Sequence, residues 1–318
     1  MDRGARQNSP AETAARKAAL RALAAPSDRR GLAQLAGHLL LLAATGALVL
    51  WSRGSWGLAP ALLAPTLLVP ALLAQGIVLV FLFAPLHEAI HRTAFRHRGF
   101  NDAVARAAGF LLVLPADYFR AFHLQHHRFT QDRRRDPELA GPPLDSRAAY
   151  LWHVTGLPYW RERFTTTWRH ALGRVTEDFV PARLRPAIVA EARGHLAGYA
   201  LLAAASLAGG SGLLLWLWVI PALLGQPFLR LYLLAEHSGC PEGTDMLVNS
   251  RTTLSNRAVR RLCWNMNLHS AHHAYPALPF HALPAADRLL APRIASRSPG
   301  YIAVQRDIWK ALARKGAA

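Results

Sequence analysis

Two histidine triplets in this chain share one spacing: a histidine, two other residues and then a histidine pair. The first is HLQHH at 123–127 and the second is HSAHH at 269–273. Because positions i, i+3 and i+4 lie on one face of a helix, the three imidazoles of each triplet are predicted to project together. A neutral imidazole is a good ligand for iron, zinc or copper. The repeated triplet therefore predicts a metal site.

Two further segments add histidines to this set. HEAIH at 87–91 places two imidazoles at i and i+4, and EHSG contains His237. One ion cannot accept eight or nine imidazoles, whereas two six-coordinate ions can, with positions left open for water or oxygen. The prediction is a two-metal site in which each triplet supplies one wall. The predicted ligands are His87, His91, His123, His126, His127, His237, His269, His272 and His273.

The other histidines are predicted to have no place among the ligands. His281 competes with His237 for the ninth position, but it lies in the proline-bounded loop PFHALP. His281 is therefore expected not to bind a metal itself and at most to contact a histidine that does. A single histidine near a membrane interface is usually an ordinary polar contact, and this is the prediction for His38, His97, His153, His170 and His195.

The composition indicates a membrane protein with a large water-exposed part. Of 318 residues, 52% are hydrophobic and only 18% are charged, yet the mean hydropathy is a modest +0.12. The two cysteines, Cys240 and Cys263, are too few for a disulfide framework and suggest a reducing compartment.

Long uncharged runs predict the membrane-spanning helices. A spanning helix needs about 20 apolar residues, and GGSG at 209–212 marks a turn between two of them. The predicted fold is an all-α integral membrane protein with four transmembrane helices at about 31–51, 66–90, 188–208 and 213–236. A cytoplasmic helical cap, 92–187 and 237–318, would hold the two-metal site. Residues 1–30 are predicted to form a polar cytoplasmic arm, and 31–318 a single membrane domain.

The distribution of basic residues predicts the orientation. The two predicted outer loops, 52–57 and 209–212, together contain one basic residue, Arg53. The segment 92–193 alone contains 17. Because basic residues accumulate on the cytoplasmic side, both termini and all the histidine segments are expected there, in the inner membrane of a bacterium. The net charge of +18 thus follows the topology and does not form one patch, which argues against nucleic-acid binding.

These motifs resemble a known family. HEAIHR, HLQHHRFTQ and NLHSAHHAYP are similar to the three histidine boxes of the membrane fatty acid desaturase and hydroxylase superfamily. The resemblance runs from about Phe81 to Leu290. It includes DPEL at 136–139 after the second box, EHSG and NSRTT (249–253) before the third, and PFHALP at 279–284 after it.

The resemblance implies an O2-dependent oxidoreductase with two non-haem iron ions. The enzyme would desaturate an unactivated C–H/C–H pair in a fatty acyl chain or a related lipid-like substrate. Hydroxylation, or desaturation of a small amino-acid-derived metabolite, are alternatives within the superfamily. No HPGG of a fused haem-binding carrier occurs, so a separate ferredoxin-like or other donor is expected to supply electrons.

The third box departs from the family in one position. Ala271 stands where members often have an acidic residue before the last histidine pair. Any support that the acid gives to the ligands must then come from elsewhere. The candidates for contacting the ligands are Glu88, Glu236, Asn267 and His281.

Two other classes of protein use some of these residues. In a membrane zinc protease, His87 and His91 would bind zinc and Glu88 would act as general base, but both triplets would be unused. A non-catalytic metal sensor is the third class, although it favours softer or more flexible ligands than buried imidazoles. Metal analysis distinguishes the classes, with two iron ions per chain, one zinc ion or variable occupancy as the expected results.

Overall fold

The computed structural model describes residues 9–54 and 58–315, and most of them are helical. A short π-helical turn, Leu215–Val219, precedes α10. The helices are α1 (Pro10–Ala22), α2 (Asp28–Arg53), α3 (Leu58–Val80), α4 (Phe83–Ile90), α5 (Arg98–Leu111), α6 (Ala116–Phe129), α7 (Arg147–Val154), α8 (Leu157–Ala171), α9 (Arg185–Ala208), α10 (Ile220–His237), α11 (Arg257–Leu262), α12 (His269–Ala274), α13 (Leu283–Leu290) and α14 (Tyr301–Lys315).

Three helical segments of the described chain are long and apolar enough to cross a membrane. They are Asp28–Arg53, Thr66–His91 and Leu215–His237, and they match three of the four predicted spans. The predicted span at 188–208 is also helical, as α9. It is not among the three, because Glu191, Arg193 and His195 make its first half polar. Four crossings therefore remain a prediction.

The second candidate span starts at Thr66, as predicted, and is interrupted once. The helix α3, which contains its first part, begins earlier, at Leu58, so Pro65 and Pro70 lie inside a helix. A turn at Phe81–Leu82 separates α3 from α4. The turn starts a new helix for the first histidine box.

Close backbone contact packs α3, the helix before the first box, against α10, the helix that ends at His237. A Cβ atom built on Gly225 would lie 2.2 Å from the carbonyl oxygen of Gly76. Small residues allow this approach, which is a common form of packing between membrane helices. Gln75 adds a polar link, since its Nε2 donates to the carbonyl of Leu217 at 3.1 Å.

A helical hairpin of α5 and α6 brings the second histidine box back to the first. The turn between them places Val113 in the left-handed region, with φ of 54°. Gly109 is required here, because a Cβ would lie 2.4 Å from the carbonyl oxygen of Leu114. α6 then runs back along α4.

The expectation of an all-α fold needs one correction. β1 (Arg251–Thr253) and β2 (Ser296–Ser298) form a two-stranded parallel sheet, with Thr252 opposite Arg297. Strands this short have no clear alternating pattern in the sequence. The sheet joins the segment before the third box to the chain that follows it. Asn267 binds this sheet, because its Nδ2 donates to the Thr253 carbonyl at 2.8 Å.

Candidate metal centre

All nine predicted ligands converge in two groups of imidazoles. In each group the potential ligand atoms lie within 4.8 Å of one another. The first cluster is His87, His91, His123, His127 and His272, and the second cluster is His126, His237, His269 and His273.

Each triplet contributes to both clusters, which differs from the expectation of one wall each. In α6, His123 and His127 join the first cluster and His126 joins the second. In α12 the division is reversed, since His272 joins the first cluster and its neighbours at i−3 and i+1 join the second. The clusters meet where the rings of His127 and His273 stack, with centroids 4.1 Å apart. Each triplet thus lies at the boundary between the two clusters and supplies imidazoles to both.

The nitrogen atoms in these clusters are arranged as ligands of a cation. The Nε2 atom of His127 lies 2.9 Å from Nε2 of His123 and 3.0 Å from Nε2 of His272. A neutral imidazole nitrogen carries one hydrogen or one lone pair, so hydrogen bonding alone cannot satisfy three converging nitrogens. Metal–nitrogen distances of about 2.1 Å place neighbouring ligands of a six-coordinate ion roughly 3 Å apart. The donor set therefore fits a metal ion in each cluster.

Burial keeps most of these imidazoles neutral, as metal ligands must be. It lowers the pKa of His123, His127 and His272 well below the usual value, and the neighbouring histidines lower it further. The same causes lower the pKa of His269 and His273. His126 differs. Burial alone would lower its pKa, but the nearby carboxylates of Glu138 and Asp136 outweigh burial and raise it.

Comparison with known proteins agrees with this geometry. The sequence profile described as Fatty acid desaturase matches residues 63–305, which is most of the chain and includes all nine histidines. The chain belongs to the fatty acid desaturase family. It is accordingly an enzyme, a di-iron oxidoreductase. No curated protein matches it in sequence.

The buried carboxylate of Asp136 orients the second box of this enzyme. Its Oδ1 accepts from Nδ1 of His126 at 2.9 Å, which leaves Nε2 of that ring free for a metal. The carboxylate also accepts from the backbone N–H groups of Gln131 and Glu138. Such a partner fixes both the tautomer and the direction of a ligand ring.

His237 and the third box are supported by residues just outside the boxes. Nδ1 of His237 lies 3.1 Å from the carbonyl oxygen of Asn249. Nδ1 of His273 lies 3.2 Å from the hydroxyl of Thr130. The carboxylate of Glu236 lies 3.3 Å from Nδ1 of His269, so this predicted supporting residue does contact a ligand. These contacts explain why DPEL and NSRTT accompany the boxes.

Of the other three predicted supporting residues, Glu88 and Asn267 bind backbone groups around the site and His281 binds a side chain. The carboxylate of Glu88 accepts from the N–H of Phe280 at 2.8 Å and so fastens the loop that follows the third box. Asn267 binds β1, as described above. His281 lies outside both clusters, with Nδ1 3.0 Å from the Arg30 guanidinium. The position of Glu88 argues against a zinc protease, because the proposed general base is engaged by a backbone amide.

Sequence reasoning overlooked Asp136, Thr130 and Asn249 as functional residues. A signal for the first was present, since DPEL is a polar motif ten residues after His126, but it served only as a mark of the family. Asn249 contacts His237 through its backbone carbonyl, so its side chain gives no sign of this role in the sequence. Conversely, His38, His97, His153, His170 and His195 were predicted to lie outside the metal site, and they belong to neither cluster.

Replacing Asp136 by asparagine is expected to lower metal affinity or activity by roughly 10–100-fold, the usual loss when a carboxylate partner of a ligand is removed. The asparagine keeps the shape but removes the charge that holds Nδ1–H of His126. Iron content after dialysis against a chelator, together with turnover, measures the effect. Asp132→Asn is the matched control, because Asp132 pairs with Arg135 in the same loop. Equal iron retention in both variants would contradict the role of Asp136.

Proposed function

We propose that this enzyme uses O2 to remove two hydrogens from adjacent, unactivated carbons of a fatty acyl chain or a related lipid-like substrate. The observation that carries the proposal is the convergence of nine histidines into two clusters within a chain of the fatty acid desaturase family. Every box contributes to the clusters, so the whole motif set is used.

The two clusters would each hold one iron ion, with His87, His91, His123, His127 and His272 around one and His126, His237, His269 and His273 around the other. Bound iron would supply the oxidising power needed to break an unactivated C–H bond. The chain itself directs the rings through Asp136, Thr130 and Glu236. It also excludes water, because seven of the nine histidines are buried and the other two, His91 and His237, are partly buried.

A small void beside the first cluster has mostly apolar walls. Phe81, Phe83, Ala84 and Met266 line it together with His87 and Glu236. Cys263 also lines it, and burial raises the pKa of this thiol to about 11, so the wall there remains uncharged at neutral pH. An apolar surface thus reaches a predicted ligand of the first cluster, which suits a hydrocarbon substrate.

Expression in a host that lacks the gene, followed by mass spectrometry of lipids and small metabolites, tests the reaction. A product lighter than its precursor by two hydrogens supports desaturation. A product heavier than its precursor by one oxygen atom would show that the reaction is hydroxylation and not desaturation. A His127→Ala variant is the control, because His127 contacts two other ligands of the first cluster. A change that persists in this variant does not come from the metal centre.

We further propose four crossings, with both termini and the metal centre on the cytoplasmic side of a bacterial inner membrane. A cysteine placed at Ser211, in the turn between α9 and α10, is expected to react with a membrane-impermeant thiol reagent added outside. The reason is the lack of basic residues at 209–212. Ser55, in the other predicted outer loop, lies outside the described residues. Labelling of Ser211→Cys only after the membrane is opened would reverse the orientation. Exposed Arg161→Cys serves as the cytoplasmic control.

A separate, acidic electron donor of the ferredoxin type is proposed as the partner. The predicted cytoplasmic segments are strongly basic, and opposite charges accelerate docking. Turnover measured with limiting donor is therefore expected to fall steeply as ionic strength rises, since salt screens exposed charges. The same titration with saturating donor is the control and should be much flatter. A flat response with limiting donor would argue against docking guided by charge.

A further inference from the structure

Arg230 is unusual because it lies within an apolar, membrane-length helix. It is the only lysine or arginine in Leu215–His237, and Thr66–His91 contains none. Ionisable residues at such positions are costly and usually functional. Arg230 precedes His237 by seven residues and so shares its face of the helix, about 10 Å away along the axis.

Three polar side chains surround the ring of Tyr159, and together these four residues form the Tyr159 pocket. The Arg230 guanidinium lies 4.5 Å from the ring centroid, and that of Arg163 lies 5.9 Å from it. The Gln226 amide is beside the Tyr159 hydroxyl. That hydroxyl donates to the carbonyl of Leu112 at 2.8 Å, so its proton is already used.

The polar atoms of this pocket are largely unsatisfied. Nε of Arg163, Nε of Arg230 and both amide atoms of Gln226 have no hydrogen-bond partner among the described residues. Gln226 is 0% exposed and Arg163 is 6% exposed, so bulk water does not replace those partners. Buried polar groups without partners are rare and costly. Three of these four atoms carry N–H groups, so the pocket has more unpartnered donors than acceptors.

The charge of the pocket points to an anion. Arg163 pairs with Glu162, whereas Arg230 forms no ion pair with any acidic side chain in the described part of the chain. Glu138 is near enough to interact with the charge of Arg230, but its carboxylate lies 3.7 Å from Nδ1 of His126. Glu138 and Glu162 both interact with the charge of Arg230, but neither forms an ion pair with it in the described part of the chain, so its guanidinium has no direct carboxylate partner.

The pocket and the apolar cavity flank α10 on different sides. Tyr232 and Glu236 line the cavity beside His87, while Gln226 and Arg230 face Tyr159. The Tyr159 pocket therefore lies on the side of α10 that carries His237, so a head group bound there would approach the metal centre from the second cluster.

We propose that the Tyr159 pocket binds the oxyanion head group of the substrate, a carboxylate or a phosphate, while the metal centre acts on its carbon chain. The two guanidinium groups and the Gln226 amide would supply the donors, since a guanidinium matches the geometry of such oxyanions. This inference rests on the proposed function and narrows its substrate class to anionic amphiphiles.

Calorimetric titration of the purified holoenzyme in lipid nanodiscs tests this, with no reductant present and empty nanodiscs subtracted. The probes are dodecanoate, dodecyl phosphate and dodecan-1-ol, which share one chain and differ in the head group. At least one anionic probe is expected to bind roughly tenfold or more tightly than the alcohol, the contribution of one charge-assisted hydrogen bond. Whichever anion is preferred identifies the head group as carboxylate or phosphate. Equal binding of all three probes would overturn the proposal.

Variants distinguish a binding role from a structural one. Arg230→Gln should remove the preference for anions, and Arg230→Lys should keep part of it. Gln226→Leu is informative because replacing an unsatisfied amide by an apolar group of similar size should not destabilise the fold. We expect it to weaken the preference while the melting temperature and iron content stay unchanged. Arg161→Gln is the matched control, an exposed arginine two residues from Arg163.

The outcomes separate this inference from the proposed function. A preference for anions that survives both Arg230→Gln and Gln226→Leu, or that is lost equally in Arg161→Gln, would show that the Tyr159 pocket is not the head-group site. Binding is measured without turnover, so failure to find a desaturated product would leave the head-group result standing. Conversely, a desaturase that binds the alcohol as tightly as the anions would keep its proposed reaction and lose this site.

Discussion

Replacement of His272 by alanine is expected to abolish activity and lower the iron content of the purified protein. Its Nε2 lies 3.0 Å from Nε2 of His127, and its ring centroid lies 4.7 Å from that of His87 and 4.8 Å from that of His91. The ring thus links ligands from all three histidine boxes. Removing it opens the first cluster and deletes the contacts that this ring makes with the first and second boxes.

Metal analysis and turnover of the same preparation measure this effect. His97→Ala is the control, because His97 is exposed and its ring packs only against Phe100 among the described residues. The control should retain full iron and activity. An active His272→Ala protein with its full iron content would refute the assignment of two metal sites as described.

Replacement of His237 by alanine is expected to have a comparable effect, although His237 belongs to none of the three boxes. Its Nε2 lies 2.9 Å from Nε2 of His269, and its ring lies 4.9 Å from that of His126. The second cluster has four members, so loss of one leaves three. Iron content should fall together with activity.

His281→Ala is the matched control for His237→Ala. Both residues are histidines that lie near the third box but outside it. His281, however, contacts Arg30 and lies outside both clusters. We expect the His281 variant to keep its iron. The competing explanation for His237 is that it merely ends α10, where a positive charge would interact favourably with the helix dipole. That explanation predicts a lower melting temperature with unchanged iron content.

Local spacing carried much of the information about the metal centre. The i, i+3, i+4 spacing in α6 and α12 is a property of a single helix, so it could be recognised before any tertiary contact was known. The same holds for Gly31–Trp51 and Thr66–Ile90, whose apolar length predicts a span without reference to neighbours. α9 shows the limit of this reasoning, because polar residues in its first half leave its relation to the membrane open.

The residues that orient the ligands could not be assigned in this way. Glu88 sits between His87 and Ala89 in the first box, and sequence alone suggested that it contacts the ligands. Its carboxylate turns instead to the N–H of Phe280, 192 residues away. Which way a side chain points depends on the elements packed around it, and a distant backbone donor leaves no trace in the local pattern.

The sequence by itself determined that this chain has two faces of three imidazoles and a further pair of imidazoles in the first box. Their position on one side of a membrane stays a prediction. Only the tertiary structure decided which nitrogen belongs to which cluster. Each triplet divides between two sites because α6 and α12 face one another, so His127 meets His272 while His126 meets His273. Helical spacing specifies a face, but the partner of each ring on that face depends on how two helices distant in sequence pack together.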